Sequence, residues 1–261
     1  MGILDEIGYV LLCRRYSLKE YAVYRGQFIL WLAVAIIGVF FTYASISIIY
    51  GISSGIPGWN YYQMLALSAT STMFLGFVEI FVSLNMVTSQ LLNGLYDFYF
   101  TMPYSKLGII LARSGNINTS IGSILGGILM FAYAIMHLNI AISSLFGYLI
   151  LFAFGFFGFL IFYPMLGVAL YYAAKSRSIG GDVSNVLRSA STYPLGIYGF
   201  SGQLLFSLLL PIGFAYYYPT EVLLHSNPYV FLFSIVGSVV IGLVSYRLFN
   251  VLIKKYTGAG G

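Results

Sequence analysis

Long apolar runs dominate this sequence and leave few folds open to it. Hydrophobic residues make up 60% of its 261 positions and charged residues only 7%, whereas a soluble domain has roughly 25% charged residues. A helix crosses the hydrocarbon layer of a membrane in about 20 apolar residues. The runs of about this length or more are Phe28–Tyr50, Tyr62–Leu92, Ile117–Met136, Leu145–Ala173, Phe200–Tyr218 and Tyr229–Ile253. They predict an all-α integral membrane protein with six transmembrane helices.

The basic residues predict how these helices are oriented. In a six-span chain, all 12 Lys and Arg residues fall on one side, and the three connections on the other side contain none. The basic residues are Arg14, Arg15, Lys19, Arg25, Lys106, Arg113, Lys175, Arg177, Arg188, Arg247, Lys254 and Lys255. Cytoplasmic loops carry an excess of such residues. The pattern predicts a multi-pass protein of the cell (plasma) membrane with both termini in the cytoplasm. It also accounts for the net charge of +5 without a nucleic-acid partner.

Three parts of the chain differ in composition. Residues 1–26 mix apolar, aromatic and charged side chains at near-helical spacing, which predicts an amphipathic helix in the cytoplasmic interface of the bilayer. A cytosolic helix packed on a partner is the alternative interpretation. Residues 27–253 form the predicted six-span domain, and residues 254–261 form a short cytoplasmic tail.

An acid inside a predicted span is costly and therefore informative. Glu79 lies near the middle of the second run, where a charged side chain costs roughly 2.5–3.5 kcal/mol on insertion scales. It is expected to face protein or water rather than lipid. One interpretation places Glu79, with Ser83 and Asn85, in a transport pathway. The other makes Glu79 a structural acid that joins helices or subunits, since the sequence shows no buried cation to pair with it.

Catalytic and metal-binding motifs are sparse. The sequence has no GxxxxGK[ST] phosphate loop, no HExxH motif and no paired acid motif. We therefore predict no catalytic residue, no metal site and no cofactor on this chain. The pattern Gly51-x-Ser53-x-Gly55, with Glu221 and His225 on the same predicted side, leaves an intramembrane hydrolase as an alternative. That motif requires a strand-to-helix turn, whereas its neighbours are predicted to be helices.

Two segments and the end of the chain resemble a known family. In GLYDFYFTMPYSKL, Gly94, Asp97 and Pro103 match a G-x-L-D-x-x-L-x-x-P pattern, with Tyr96 and Phe100 where Leu is usual. A second pattern comprises Arg188, Tyr193, Pro194, Ile197, Tyr198, Pro211 and Pro219. The ending KKYTGAGG is also similar. Together they resemble one branch of the ABC-2 type ABC-transporter permeases over most of the chain.

The resemblance implies a transmembrane permease subunit without its own nucleotide site. Its expected partners are ATP-binding-cassette ATPase subunits, which would bind MgATP, and a second permease chain in a homodimer or heterodimer. Such transporters usually export substrates or flip them between leaflets. Because the spans are mostly apolar and aromatic, we expect a hydrophobic or amphipathic substrate.

The resemblance also assigns a role to residues 93–108, on the predicted cytoplasmic side. We expect a short coupling helix whose aromatic side chains enter a groove on the ATPase, since large side chains with few rotatable bonds suit interface anchors. Asp97 would cap this helix or pair with a base on the partner. Pro103 would end or redirect it. The coupling residues are Gly94, Tyr96, Asp97, Phe98, Tyr99, Pro103 and Lys106. The alternative is an ordinary interfacial loop with aromatic side chains.

Two further classes of protein compete with a permease. An ion-coupled secondary transporter predicts repeated halves and broken helices with charged midplane residues, and the sequence shows no convincing internal repeat. A membrane scaffold would bind an ATPase without supporting transport.

Overall fold

The computed structural model describes residues 2–23, 25–53 and 55–258, and the regular structure of these residues is helical throughout. The helices are α1 (Ile3–Val23), α2 (Arg25–Ile52), α3 (Tyr61–Phe81), α4 (Leu84–Leu92), α5 (Leu95–Tyr99), α6 (Lys106–Arg113), α7 (Ile117–Met136), α8 (Ile142–Ala174), α9 (Ile179–Ala190), α10 (Gly199–Leu204), α11 (Tyr218–His225) and α12 (Pro228–Lys254). A 3₁₀ turn covers Leu195–Tyr198, and π-helical turns cover Leu205–Leu209 and Gly213–Tyr217. Residues 259–261 of the predicted tail lie outside the described residues.

The helices confirm an all-helical chain with several membrane spans. Five segments of the described chain are long and apolar enough to cross a bilayer, and a bent pair of helical segments makes a sixth if it is counted as one span. The helices α2, α7, α8 and α12 match the predicted first, third, fourth and sixth spans to within a few residues. The second predicted span, Tyr62–Leu92, coincides with a candidate span over Tyr61–Leu92 that contains a break, and the fifth overlaps the bent pair.

The second run is two helices and not one. Val82 and Ser83 are extended between α3 and α4, and their neighbours bind the chain that leads into α7. The Ser83 amide donates to the Ser114 carbonyl at 2.8 Å, and the Asn116 amide donates to the Glu79 carbonyl at 2.8 Å. The other ends of α3 and α7 also meet, because the rings of Tyr62 and His137 stack. The two helices are therefore antiparallel and matched in length.

This pairing changes the expected depth of Glu79. Helices of 21 and 20 residues rise about 30 Å, which is the thickness of the hydrocarbon layer. Glu79 lies in the last turn of α3, beside the break. Because each of these helices is long enough to cross the layer on its own, we expect Glu79 near one boundary of that layer, whereas the sequence alone predicts a position near its middle.

The fifth run is not a single helix. The segments Leu195–Leu209 and Gly213–His225 meet at an angle of 85°. Pro211 lies at the corner, where its missing N–H and fixed ring interrupt a helical hydrogen-bond ladder. The predicted span Phe200–Tyr218 therefore contains a sharp bend, which an average of hydropathy over the run does not reveal.

The helices that follow and precede the spans gather at one end of the bundle, which we call the basic end. It comprises α1, α4, α5, α6 and α9, with the last turns of α8 and α12. The predicted N-terminal helix is present as α1, and it packs on α6. There the Glu6 carboxylate accepts hydrogen bonds from the amide and hydroxyl of Ser105, while the Tyr9 and Tyr104 rings stack at 4.0 Å.

Candidate transport groove and coupling segment

A half-open polar groove lies between α2, α3, α7 and α9. Its volume is about 380 Å³. Ala35, Gly38, Val39, Thr42, Ser71, Thr72, Glu79, Ser83, Asn85, Asn116, Thr119, Ser123, Gly181, Ser184, Asn185, Arg188 and Thr192 line it. The groove follows α3 from Ser71, at the middle of that helix, to Ser83 at the break, a rise of about 18 Å. The three predicted pathway residues, Glu79, Ser83 and Asn85, therefore line one groove.

An ion pair occupies the inner wall of this groove. The Arg188 Nη2 atom of α9 donates to Glu79 Oε1 at 2.6 Å. The Glu79 side chain is only 8% exposed, whereas that of Arg188 is 37% exposed. The sequence shows no buried cation to pair with Glu79, and the structure supplies one in the half-buried Arg188. Hydropathy could not find the pair, because Arg188 lies 109 positions away along the chain and its only signal was its place in the family pattern.

Hydroxyl groups on the same face of α3 fasten it to the end of α9. Ser68 Oγ donates to the Thr192 carbonyl at 2.8 Å, and the Ser71 and Ser191 hydroxyls are 2.5 Å apart. Positions 68, 71 and 79 share one face of a helix. These hydrogen bonds link the second predicted span to the fifth, because α9 leads into the bent segment that begins at Leu195.

Arg14 of α1 binds the ends of two other helices. Its side chain is nearly buried, and it donates to the Ile80 carbonyl at 3.0 Å and to the Ala112 carbonyl. These carbonyls belong to the last turns of α3 and α6, where a cation is favourable to the helix dipole. Gly115 allows this approach, since a Cβ atom there would collide with the Arg14 guanidinium and the Ile80 carbonyl. The sequence places Arg14 only among the basic residues that predict the orientation of the helices.

The predicted short helix within residues 93–108 is present as α5. Gly94 precedes it with φ of +70°, a left-handed conformation that glycine adopts without strain. Phe98 is 68% exposed and Leu95 is 46% exposed. Tyr96, however, is fully buried, and its hydroxyl bonds the Ser114 hydroxyl. Tyr96 therefore positions the helix and does not present a ring to a partner, which corrects the prediction for this residue.

The other predicted coupling residues lie around α5. The Tyr99 ring lies 4.9 Å from the Arg113 guanidinium, and Lys106 Nζ is 5.2 Å from the Phe100 ring centre. Pro103 is exposed in the turn before α6. Asp97 lies in the first turn of α5, but Gly94 occupies the N-cap position.

The tail of the chain packs against this segment. The Tyr256 hydroxyl donates to the Leu91 carbonyl at 3.3 Å. Burial and a hydrogen bond with Asp97 raise the pKa of Tyr256, so its hydroxyl stays protonated at neutral pH. Asp97 is thus already engaged within its own chain.

The hydrolase alternative gains little from the geometry. His225 Nδ1 lies 2.8 Å from Glu221 Oε2, but Ser53 Oγ donates its proton to the Ile49 carbonyl at 2.7 Å. Among the residues that the structure describes, no hydrogen bond joins Ser53 to His225 and no cluster of acids, His and Cys is arranged to hold a metal ion.

These features define a class: a multi-pass helical membrane protein with a polar groove that ends beside a helical layer. A comparison with protein families specifies it further. The family model described as ABC-2 family transporter protein matches residues 34–260. The chain therefore belongs to the ABC-2 family and is the permease component of an ABC transporter. No curated protein matches this chain.

Proposed function

We propose that this chain moves an amphipathic substrate across the membrane or between its leaflets, driven by separate ATPase subunits that dock on residues 93–108. An amphipathic substrate fits better than a purely hydrophobic one, because polar side chains line the groove while the spans around it are apolar. The observation that carries it is the physical connection between α5 and the groove.

That connection has two steps. Tyr96 of α5 bonds the Ser114 side chain, and the Ser114 carbonyl accepts the amide of Ser83 at the break between α3 and α4. Because Ser83 also lines the groove, a displacement of α5 reaches the groove wall through the buried Tyr96 side chain and two hydrogen bonds. A rigid, short route of this kind suits a lever that an external motor moves.

The exposed part of α5 matches what a partner would need. Phe98 and Leu95 present apolar surface at a polar end of the molecule, and aromatic anchors in a partner's pocket carry much of the energy of an interface. In the assembled transporter we expect Phe98 to be buried against the ATPase and Tyr96 to stay inside the permease.

Co-purification tests this proposal. The chain is expressed in its native membrane, and the complexes that it forms with an ATP-binding-cassette ATPase are isolated in mild detergent. Phe98→Asp is expected to abolish recovery of the ATPase and the stimulation of its ATP hydrolysis. Tyr16→Asp is the matched control, because Tyr16 is also an exposed aromatic residue of the basic end, 61% accessible, but lies on α1. Unchanged recovery and hydrolysis with Phe98→Asp would contradict the docking site.

A second variant, with two substitutions, tests residues 93–108 as the coupling segment. Asp97→Arg with Tyr99→Ala reverses one charge and removes one ring of the segment. We expect this pair to reduce ATPase recovery as well.

Transport assays separate the permease from its two alternatives. Substrate transport in proteoliposomes that depends on ATP, and not on an ion gradient, would exclude a secondary transporter. ATPase binding without transport would favour the scaffold.

A further inference from the structure

Arg188 offers more hydrogen-bonding capacity than its known partner uses. Within the described residues its side chain makes one hydrogen bond, from Nη2 to Glu79. A guanidinium has five N–H donors in a planar fork, which fits carboxylate or phosphate oxygens two at a time. The exposed third of this side chain faces the groove, which Arg188 lines. Its remaining donors are therefore available to a ligand there.

Two helix N-termini border the same space. α4 begins after Ser83 and α7 begins after Asn116, and both of these cap residues line the groove. In neither helix does the cap side chain bond a first-turn amide. Free amides and the helix dipole make such ends favourable to negative charge. The break in the second span creates one of these two ends.

The negative charges that would repel an anion from the groove are largely neutralised by arginines of the same chain. The Glu79 carboxylate is nearly buried and directed to Arg188. The C-terminal carbonyls of α3 receive Arg14, at Ile80. Arg188 itself lies in the last turn of α9, where its charge offsets the negative end of that helix. The exposed donors of the groove are therefore positive or neutral, while the one carboxylate is screened.

The remaining lining favours a small polar head over a sugar or a cation. The groove presents the amides of Asn85, Asn116 and Asn185, and the buried Oγ of Ser184 has no hydrogen-bond partner within the described chain. No aromatic ring is among the described residues that line it, and these residues provide neither a stacking platform for a sugar nor a cage for a quaternary ammonium.

An apolar path adjoins this polar site. The groove ends beside the break between α3 and α4, and its α2 wall carries Ala35, Gly38 and Val39. Only 6% of the most apolar window of α2 is buried within the described structure. A ligand with a polar head in the groove can therefore keep an alkyl tail against α2.

We propose that the groove binds the anionic head group, phosphate or carboxylate, of an amphiphile, and that Arg188 is the residue that binds the anion. Glu79 holds the guanidinium in place and lowers its affinity for anions, so that the ligand can also leave. The inference depends on the proposed function only in treating this ligand as the transported substrate.

Matched amphiphiles test the proposal on the full-length chain in phosphatidylcholine nanodiscs, with empty nanodiscs subtracted. Dodecyl phosphate, dodecyl maltoside and dodecyltrimethylammonium share a tail and differ in head charge, and inorganic phosphate supplies the anion without a tail. We expect saturable binding of dodecyl phosphate by isothermal titration calorimetry and none of the other three at the same concentrations. Inorganic phosphate that binds as tightly as dodecyl phosphate would refute the role of the tail.

Substitutions at Arg188 and Glu79 are expected to change the affinity for dodecyl phosphate in opposite directions. Arg188→Gln should weaken dodecyl phosphate binding at least about tenfold, since a charge-assisted hydrogen bond contributes about 1.5–3 kcal/mol. Glu79→Gln should tighten binding several-fold, because it removes the competing carboxylate. Arg177→Gln is the control, since Arg177 is an exposed arginine outside the groove lining.

The double variant Glu79→Gln/Arg188→Gln guards against misfolding, since it leaves no buried charge unpaired. It should melt near the wild-type temperature and fail to bind dodecyl phosphate. Wild-type affinity in the folded double variant, or binding of the ammonium amphiphile that requires Glu79, would overturn the proposal. Failure of the wild-type chain to recover an ATPase, or unchanged recovery with Phe98→Asp, would instead contradict the proposed function and leave this binding result intact.

Discussion

Helices α2 and α3 begin from similar apolar sequences but have opposite surroundings. α2 is the more apolar, yet only 6% of its most apolar window is buried, whereas 78% of the window in the less apolar α3–α4 pair is buried. α3 carries Ser68, Thr70, Ser71, Gly76 and Glu79, all buried. Lipid is as apolar as a leucine side chain, so helices associate in it through small and polar residues. The buried helix is therefore the one with the weaker hydropathy signal.

The largest expected effect comes from filling the α3–α7 contact. At Gly76 a new Cβ atom would lie 2.9 Å from Ile124 Cγ1 and 3.1 Å from the Ser120 carbonyl, while at Gly38 of α2 nothing lies within 4 Å. Gly76→Leu should destabilise the protein by about 3 kcal/mol or more, as overpacking does, and Gly38→Leu should change its melting temperature little. Because Gly38 borders the groove, the comparison concerns thermal stability in detergent only. Equal melting temperatures would contradict the tight contact.

A charge on the bare face of α2 should cost nearly as much. Ile37 lies near the middle of α2 and is 53% exposed, so Ile37→Glu would place an unpaired acid in lipid at a cost of roughly 2.5–3.5 kcal/mol on insertion scales. Membrane insertion measured with glycosylation tags should fall accordingly, while Ile37→Leu should insert normally. Normal insertion of the glutamate variant would show that this face meets water.

A smaller coupling is expected between the two charges that α3 tolerates. A double-mutant cycle with Glu79→Gln and Arg188→Gln should yield an interaction of about 0.5–3 kcal/mol, the range for residues in direct contact. The partial exposure of Arg188 argues for the lower half of that range. Thermal melting of the four proteins supplies the measurement. Additive effects would mean that the pair does not stabilise the α3–α9 contact.

The smallest effect is expected at the coupling segment. Tyr96→Phe keeps the buried ring but removes the hydrogen bond to Ser114, at a cost of about 1 kcal/mol. Burial raises the pKa of Tyr96, so the hydroxyl remains protonated and the effect should not vary between pH 6 and about 9. Melting curves at these pH values check both points. Ser114→Ala should give a similar loss, and the double variant little more.

The predicted pathway residues Glu79, Ser83 and Asn85 line one groove, and the sequence also predicted the helical class and the bounds of most spans. It missed their partner Arg188, the clamp by Arg14 and the burial of Tyr96. Each of these depends on contacts between positions far apart in the chain, such as the 98 residues between Arg14 and Ala112. Local patterns of apolar and basic residues contain no information about such contacts.

By itself the sequence determined that the chain lies in a membrane as a set of helices, because the free energy of inserting about 20 residues is a sum over those residues. Tertiary structure alone decided which helix is buried, where the second and fifth runs break, and that an acid and an arginine share one groove. Those outcomes depend on small residues and hydrogen bonds that meet only after the helices pack, and an average over a window of sequence does not contain them.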